Sequence, residues 1–379
     1  MQVPLLDLKL QYAPLKSEIL FEMEAVADSQ TLILGPKTEA FERAVAKYCG
    51  VEHAIAVSSG TDAQLVLLMA LDVQPGDALI TTPYTFFATA GCIARLGARP
   101  VFVDIDPATF NMSVPALEQA LARTRKPKAI IPVHLFGQCA DMQPILALGK
   151  KHGIPVLEDA AQALGARHPL GCAGAIGEAG WFSFYPTKNL GAFGDAGMVV
   201  CKDSVLAAKI RALRNHGMET RYYHKWVGGN FRMDAIQAAV LGVKLPHLDL
   251  WSAERRARAA FYRQEFARAG LSRLVKLPAE SYATSGHLNH HIYNQFVIRA
   301  VRRDALKEHL TKAGIATEIY YPRALHMQEC FADLGYSKGD FPEAERAARQ
   351  SLALPIFAEI TEAQQRYVVE QIDAFYAAG

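Results

Sequence analysis

The chain has 379 residues, 51% of them hydrophobic and 21% charged, a composition that excludes a disordered, collagenous or disulfide-stapled protein. Forty Lys plus Arg against 38 Asp plus Glu leave a formal charge of +2, so no overall field favours nucleic acid or an anionic membrane. Small molecules or further copies of the chain are the expected partners, and the length leaves room for two or three domains with a large core.

The first ten residues are interrupted by Asp7 and Lys9, and no later apolar run approaches the roughly 20 residues of a membrane span. The cysteines at 49, 92, 139, 172, 201 and 330 form neither a zinc pattern nor a secreted disulfide framework. Free thiols in a reducing cytoplasm are expected, and no metal. From Glu52 to Lys202, short β-branched or apolar runs alternate with longer helical patterns, the rhythm of a mainly parallel sheet covered by helices. Seven strands are predicted at 53–58, 78–82, 101–104, 129–133, 155–158, 180–184 and 197–201. Helices are predicted at 61–72, 86–96, 115–123, 141–151 and 203–213, with Asp141 and Asp203 as N-caps. Pro246 breaks the pattern before an Arg-rich amphipathic segment at 248–269, which places a domain boundary between 247 and 248. Beyond it a strand at 291–299 and helices at 304–313, 343–351 and 362–377 make a smaller α+β unit over 248–379. The simplest reading of Arg255, Arg256, Arg258, Arg263 and Arg268 is the solvated face of the long helix.

Four segments beyond strand ends carry unusual residues, and ligands of open α/β sheets gather there. In Ser58-Ser59-Gly60-Thr61-Asp62-Ala63, a strand passes through a glycine into a helix start, which suits either a phosphate cup or an ordinary N-cap. In Pro83-Tyr84-Thr85-Phe86-Phe87, one phenylalanine is expected in the core, and the other is free to lie flat on a ring. Glu158 and Asp159 follow a buried strand and point to opposite faces, so one carboxylate faces the ligand pocket; an Asp there can pair with a protonated ring nitrogen, with Gln162 reaching a ring oxygen. In Ser183-Phe184-Tyr185-Pro186-Thr187-Lys188-Asn189-Leu190-Gly191, the lysine is either a solvated surface residue or an amine of depressed pKa able to form a Schiff base.

Together these supply what pyridoxal phosphate needs. With Leu34-Gly35-Pro36, Gly229-Asn230-Phe231-Arg232-Met233-Asp234 and Tyr320-Tyr321-Pro322, the pattern resembles, over essentially the whole chain, the DegT/DnrJ/EryC1/StrS nucleotide-sugar aminotransferases among the fold type I pyridoxal phosphate enzymes. The resemblance implies an aspartate-aminotransferase-like α/β fold with a large domain over 1–247. It implies that Lys188 binds the cofactor covalently, Asp159 pairs with its pyridine nitrogen, Gln162 lies near the ring oxygen and Phe86 stacks on the ring. It further implies that Gly60, Thr61 and Ser183 hold the phosphate, with Asp62 among the cofactor-binding residues, and that Asn230 reaches the phosphate of a neighbouring subunit's cofactor, making a homodimer with shared sites. For Asn230 the residues also permit a loop position capping the helix near Asp234.

The implied reaction is ping-pong transamination from glutamate to a keto nucleotide sugar, for amino-sugar or polysaccharide biosynthesis. The stretches 221–224, 228–232 and 293–299 look most like the branch acting on 3-keto sugars linked to dTDP or UDP. Tyr321 and His326 are candidates for the sugar pocket, against readings as a core tyrosine and an exposed loop histidine. His287, His290 and His291 fit a loop better than a metal site. The rivals are a 4-keto-sugar or keto-cyclitol aminotransferase, and a non-catalytic regulator on the same fold.

Overall fold

The computed structural model describes residues 1–378. Seven strands, β1 (His53–Val57), β2 (Ala78–Thr81), β3 (Arg99–Phe102), β4 (Ala129–Ile130), β5 (Leu157–Asp159), β6 (Ala179–Ser183) and β7 (Gly197–Cys201), lie close to their predicted positions. β2 pairs in parallel with β3 and β4, and β5 pairs in parallel with β6. Parallel bridges Ile130–Val156 and Val133–Asp159 join β4 to β5. β7 runs antiparallel to both β6 and β1. The result is one sheet in the order β3-β2-β4-β5-β6-β7-β1, in which only β7 is reversed.

The strands are apolar on consecutive positions because both faces are covered. Ala54, Ala56, Ile80, Met198 and Val200 pack into one core with Phe41 and Val45 of the helix Pro36–Cys49. Ile55, Val57, Leu79 and Val199 face the other way, into a core with Val66 and Leu67 of the helix Gly60–Ala70. Alternate side chains of one strand thus serve two cores, as the period of 2 requires.

A third core, gathered mainly from residues 259–375, surrounds a smaller antiparallel sheet of β8 (Val275–Lys276), β9 (Phe296–Ala300) and β10 (Ser351–Leu354). A fourth cluster joins Tyr84, Phe102 and Phe110 to Leu325, Phe331 and Phe341. At this junction Asp104, just beyond β3, accepts hydrogen bonds from the N–H groups of Glu343 and Ala344, at the start of the helix Pro342–Gln350.

Several expectations change. The strand predicted from 291 begins at Phe296, because Tyr293 takes a left-handed φ of 47° and Ile292 bonds instead to Gly137 O. The helix expected to reach 351 stops at Gln350, and Ser351–Leu354 forms β10. Asp203 caps its helix by accepting from Leu206 N, whereas Asp141 holds the N-cap position without a side-chain bond. The arginine cluster is not simply a solvated face. Leu248, Trp251, Arg255, Ala259, Tyr262 and Phe266 follow helical spacing along the buried side of Leu248–Arg268, which places Arg255 inward at 4% exposure. Its Nη1 donates to the carbonyls of Tyr293 and Ile356, both at 3.0 Å, satisfying a guanidinium that burial would otherwise penalise. No helix among the described residues is long and apolar enough to cross a membrane.

Candidate active site

The chain after β1, the end of β5 and the loop after β6 converge at one end of the large sheet. Ser59 caps the helix Gly60–Ala70 by accepting from Asp62 N at 3.0 Å, and Ser58 Oγ donates to Asp62 Oδ2 at 2.6 Å. Asp62 thereby organises the turn. The first N–H groups of a helix have no intrahelical acceptor, so the N–H groups of Gly60 and Thr61 are available to an anion, with the helix dipole behind them. A Cβ on Gly60 would stand 2.6 Å from Ser183 Cβ, so only glycine lets the two segments meet there.

At the end of β5 the two carboxylates diverge as their alternation requires. Glu158 turns into the core and accepts from His134 Nε2 at 2.7 Å and from the N–H groups of Gly174, Ile176 and Gly177. Ala140 N–H donates to His134 Nδ1, which leaves the imidazole proton on Nε2, facing Glu158. Asp159 turns toward the strand ends. Its Oδ2 accepts from Thr89 Oγ1 at 2.7 Å and its Oδ1 from Ala161 N at 3.2 Å. Burial raises its pKa, opposed by these bonds and by the charge of the nearby Lys188.

Lys188 sits in a tight loop. Its N–H bonds to Tyr185 O, Asn189 Nδ2 donates to Ile292 O at 3.0 Å, and Lys244 Nζ bonds Gly191 O. A Cβ at Gly191 would lie 2.2 Å from Pro186 O, so the loop closes only around a glycine. The Lys188 amine makes no hydrogen bond among the described residues. Desolvation lowers its pKa to about 8, and the nearby Asp159 charge opposes that fall. It is a partly buried amine rather than a solvated surface lysine.

Gln162 is buried, with Oε1 accepting from Phe136 N at 2.7 Å and Nε2 donating to Tyr321 OH at 3.1 Å. Tyr321 lies beside Phe86, ring centroids 6.3 Å apart, and its backbone is fixed by Tyr84 OH, which accepts from Tyr321 N and donates to Tyr320 O. Gln162, Phe86 and Tyr321 are therefore brought together. Neither phenylalanine of the pair is core: Phe86 is 57% and Phe87 47% exposed, the latter stacking on Phe331. Both precede the first residue of the helix Ala88–Arg95.

Two candidates lie apart. His326 is not an exposed loop residue but 2% exposed, with Nε2 3.3 Å from Glu345 Oε1 and its ring edge-on to Phe341. Asn230 is exposed, its backbone paired with Asn215, and its side chain neither caps the following helix nor bonds to the residues above. Among the described residues no group of three or more His, Cys, Asp and Glu could hold a metal. His290 bonds Glu280, and His291 stacks on Tyr293 with its pKa pushed down to about 3 by burial.

Thr85, Thr89, Tyr84 and His134 were not among the candidates, although Tyr84 and Thr85 lie in the quoted aromatic segment and Thr89 two residues beyond it. Two threonines four apart at a helix start were the available signal.

The donor set suits a phosphorylated aldehyde with a basic ring nitrogen: an unpaired, desolvated amine, a buried carboxylate, and free helix N–H groups beside Ser183. The profile of the DegT/DnrJ/EryC1/StrS aminotransferase family matches residues 14–373. The chain belongs to that family. It is 50% identical, over 99% of both chains, to a protein of Geobacillus stearothermophilus named pleiotropic regulatory protein. It is 43% identical to the UDP-N-acetyl-3-dehydro-alpha-D-glucosamine 3-aminotransferase of Acidithiobacillus ferrooxidans, over 96% of this chain and 95% of that one. The crystal structure of S. venezuelae DesV in complex with ketimine intermediate superposes with a TM-score of 0.93 at 38% identity, covering 99% of this chain and 98% of that one. The fold is that of these sugar aminotransferases, and family membership makes this chain an aminotransferase.

Proposed function

We propose that this protein uses pyridoxal phosphate to move the amino group of glutamate to carbon 3 of a keto sugar carried on UDP or dTDP, in amino-sugar or polysaccharide biosynthesis. The observation that carries the reading is the Lys188 amine, desolvated, without a hydrogen bond and beside the buried Asp159. The relatives named as 3-aminotransferases support the choice of carbon.

When bound, pyridoxal phosphate supplies an aldehyde for Lys188 and a ring that draws electrons from the carbon being deprotonated. The N–H groups of Gly60 and Thr61, with the Ser183 hydroxyl, hold the phosphate, and Asp62 keeps their turn in shape. Phe86 would cover a ring face, Gln162, anchored by Phe136 N, would meet the ring oxygen, and Asp159 would hold a proton at the ring nitrogen. Lys188 Nζ would hold the cofactor covalently and, as a free amine, would serve as the base that moves a proton at the donor α-carbon. A lysine of ordinary pKa would be protonated near neutrality and unable to do this; at about 8 a useful fraction is neutral.

Tyr321, linked to Gln162, would meet the sugar. His326 would act on that pocket only from behind, through Glu345 and Phe341. A homodimer in which Asn230 of each chain serves the neighbouring chain's phosphate is supported by its exposure and by the exposed rings of Phe86, Tyr185, Phe193, Tyr222 and Tyr223. The cysteines, all free, support a cytoplasmic location. The largely separate core of residues 259–375 supports division into domains 1–247 and 248–379.

The relative named pleiotropic regulatory protein favours a second reading, a regulator that binds the same ligands without turnover. Glutamate separates the two. For the cofactor-loaded protein we expect the visible absorbance to bleach on adding glutamate, 2-oxoglutarate to appear in equal amount, and colour to return with a 3-keto nucleotide sugar. Colour that persists in glutamate would favour the regulator.

A further inference from the structure

Asp159 is itself held by two threonines. Thr89 Oγ1 lies 2.7 Å from Asp159 Oδ2, and Thr85 Oγ1 lies 3.1 Å from Thr89 Oγ1. All three residues are buried. The direction of the chain follows from chemistry: an ionised carboxylate only accepts, so Thr89 gives its single proton to Asp159 and must accept from Thr85. A helical threonine commonly turns its hydroxyl back to the carbonyl four residues earlier, but Thr89 aims out of its helix instead. Its backbone is fixed at both ends, with N bonded to Phe86 O at 3.2 Å and O accepting from the buried Gln64 at 2.8 Å. One short segment therefore carries both the ring-facing Phe86 and the donor to Asp159.

We propose that Thr85 and Thr89 form a positioning relay that orients Asp159 and keeps it a carboxylate, so that the proton it shares with a bound cofactor stays on the ring nitrogen. The inference rests on the pyridoxal phosphate reading above. Burial favours the protonated acid, and the Thr89 hydrogen bond counters that preference. Without it Asp159 would hold the shared proton more tightly, and the ring would lose positive charge. Lys188, His134, Cys92 and Tyr321 also face Asp159 electrostatically. They are unchanged in the variants below, so differences from the parent protein report the hydroxyls.

The test compares the full-length parent with Thr89→Val, Thr89→Ser and Thr85→Val. It reads the dissociation constant for pyridoxal phosphate by equilibrium dialysis, the midpoint pH of the bound cofactor's visible band, and kcat and KM for glutamate. A ring without its proton withdraws less from the lysine nitrogen bound to it, so the midpoint moves up. For Thr89→Val we expect a rise of roughly one pH unit, a dissociation constant about tenfold weaker and kcat down about 10- to 100-fold, with KM within about threefold, the scale of one hydrogen bond to a charged group. Thr89→Ser should restore all three, and Thr85→Val should shift them the same way by less. A parent-like midpoint and dissociation constant in Thr89→Val would overturn the relay, as would a Thr89→Ser variant equally impaired, since shape rather than the hydroxyl would then matter. Should Thr89→Val fail to fold, a parent-like midpoint in Thr85→Val overturns it. A parent protein that takes up no pyridoxal phosphate would instead sink the reading beneath it.

Discussion

Lys188→Ala is expected to abolish turnover, by at least about 1,000-fold, and to remove the visible absorbance of the cofactor-loaded protein. No other lysine is placed to take over. Lys244, the other lysine whose amine burial lowers to about 8, is committed to the Gly191 carbonyl behind the loop. The phosphate site and Asp159 remain in the variant, so pyridoxal phosphate should still bind, reversibly and more weakly. The same amine sets a pH dependence in the parent. Only neutral amine attacks an aldehyde, and burial has moved the change of charge from 10.5 to about 8. The rate at which cofactor-free protein captures pyridoxal phosphate should therefore rise with pH and level off above about 8, followed by stopped-flow absorbance. A rate still climbing steeply toward pH 10 would mean a lysine without the desolvated environment. Turnover at the parent rate in Lys188→Ala would overturn the assignment.

The second large effect is on stability. Glu158→Ala would strand the N–H groups of Gly174, Ile176 and Gly177 together with the His134 ring, all in the dry interior between β5 and the turn before β6. Each unmet buried donor costs about 1–3 kcal/mol, and loss of one partner from a buried charged network typically costs 3–5 kcal/mol. A loss of roughly 4 kcal/mol in urea denaturation is expected. Cofactor affinity should fall with it, because His134 N–H bonds to Asp159 O and shares the network that fixes the end of β5. A variant within about 1 kcal/mol of the parent would show that water satisfies these groups, contrary to their burial.

Much of this was legible in the sequence because the signals were local. Strands covered on both faces are apolar at consecutive positions, and glycines at 60 and 191 mark places where backbone or side chain leaves no room for a Cβ. The opposite orientations of Glu158 and Asp159 follow from the period of an extended chain. What sequence could not supply were partners distant along it. Helical spacing turns Arg255 inward, but the carbonyls that satisfy it come from Tyr293 and Ile356. His326 could be read as a sugar-pocket candidate or as an exposed loop residue, because Phe341 and Glu345, which enclose it, arrive later in the chain, at the N-cap and within the helix Pro342–Gln350. Thr89 lies 70 residues before Asp159, and only folding makes them neighbours.

The destination of the glutamate nitrogen decides the function. The cofactor-loaded protein would be given nitrogen-15-labelled glutamate with a 3-keto UDP- or dTDP-sugar, and the product read by NMR. The predicted result is label bonded to carbon 3 of the sugar, with 2-oxoglutarate released in equal amount. A sugar that recovers no label, or takes it only when a 4-keto substrate replaces the 3-keto one, would contradict it.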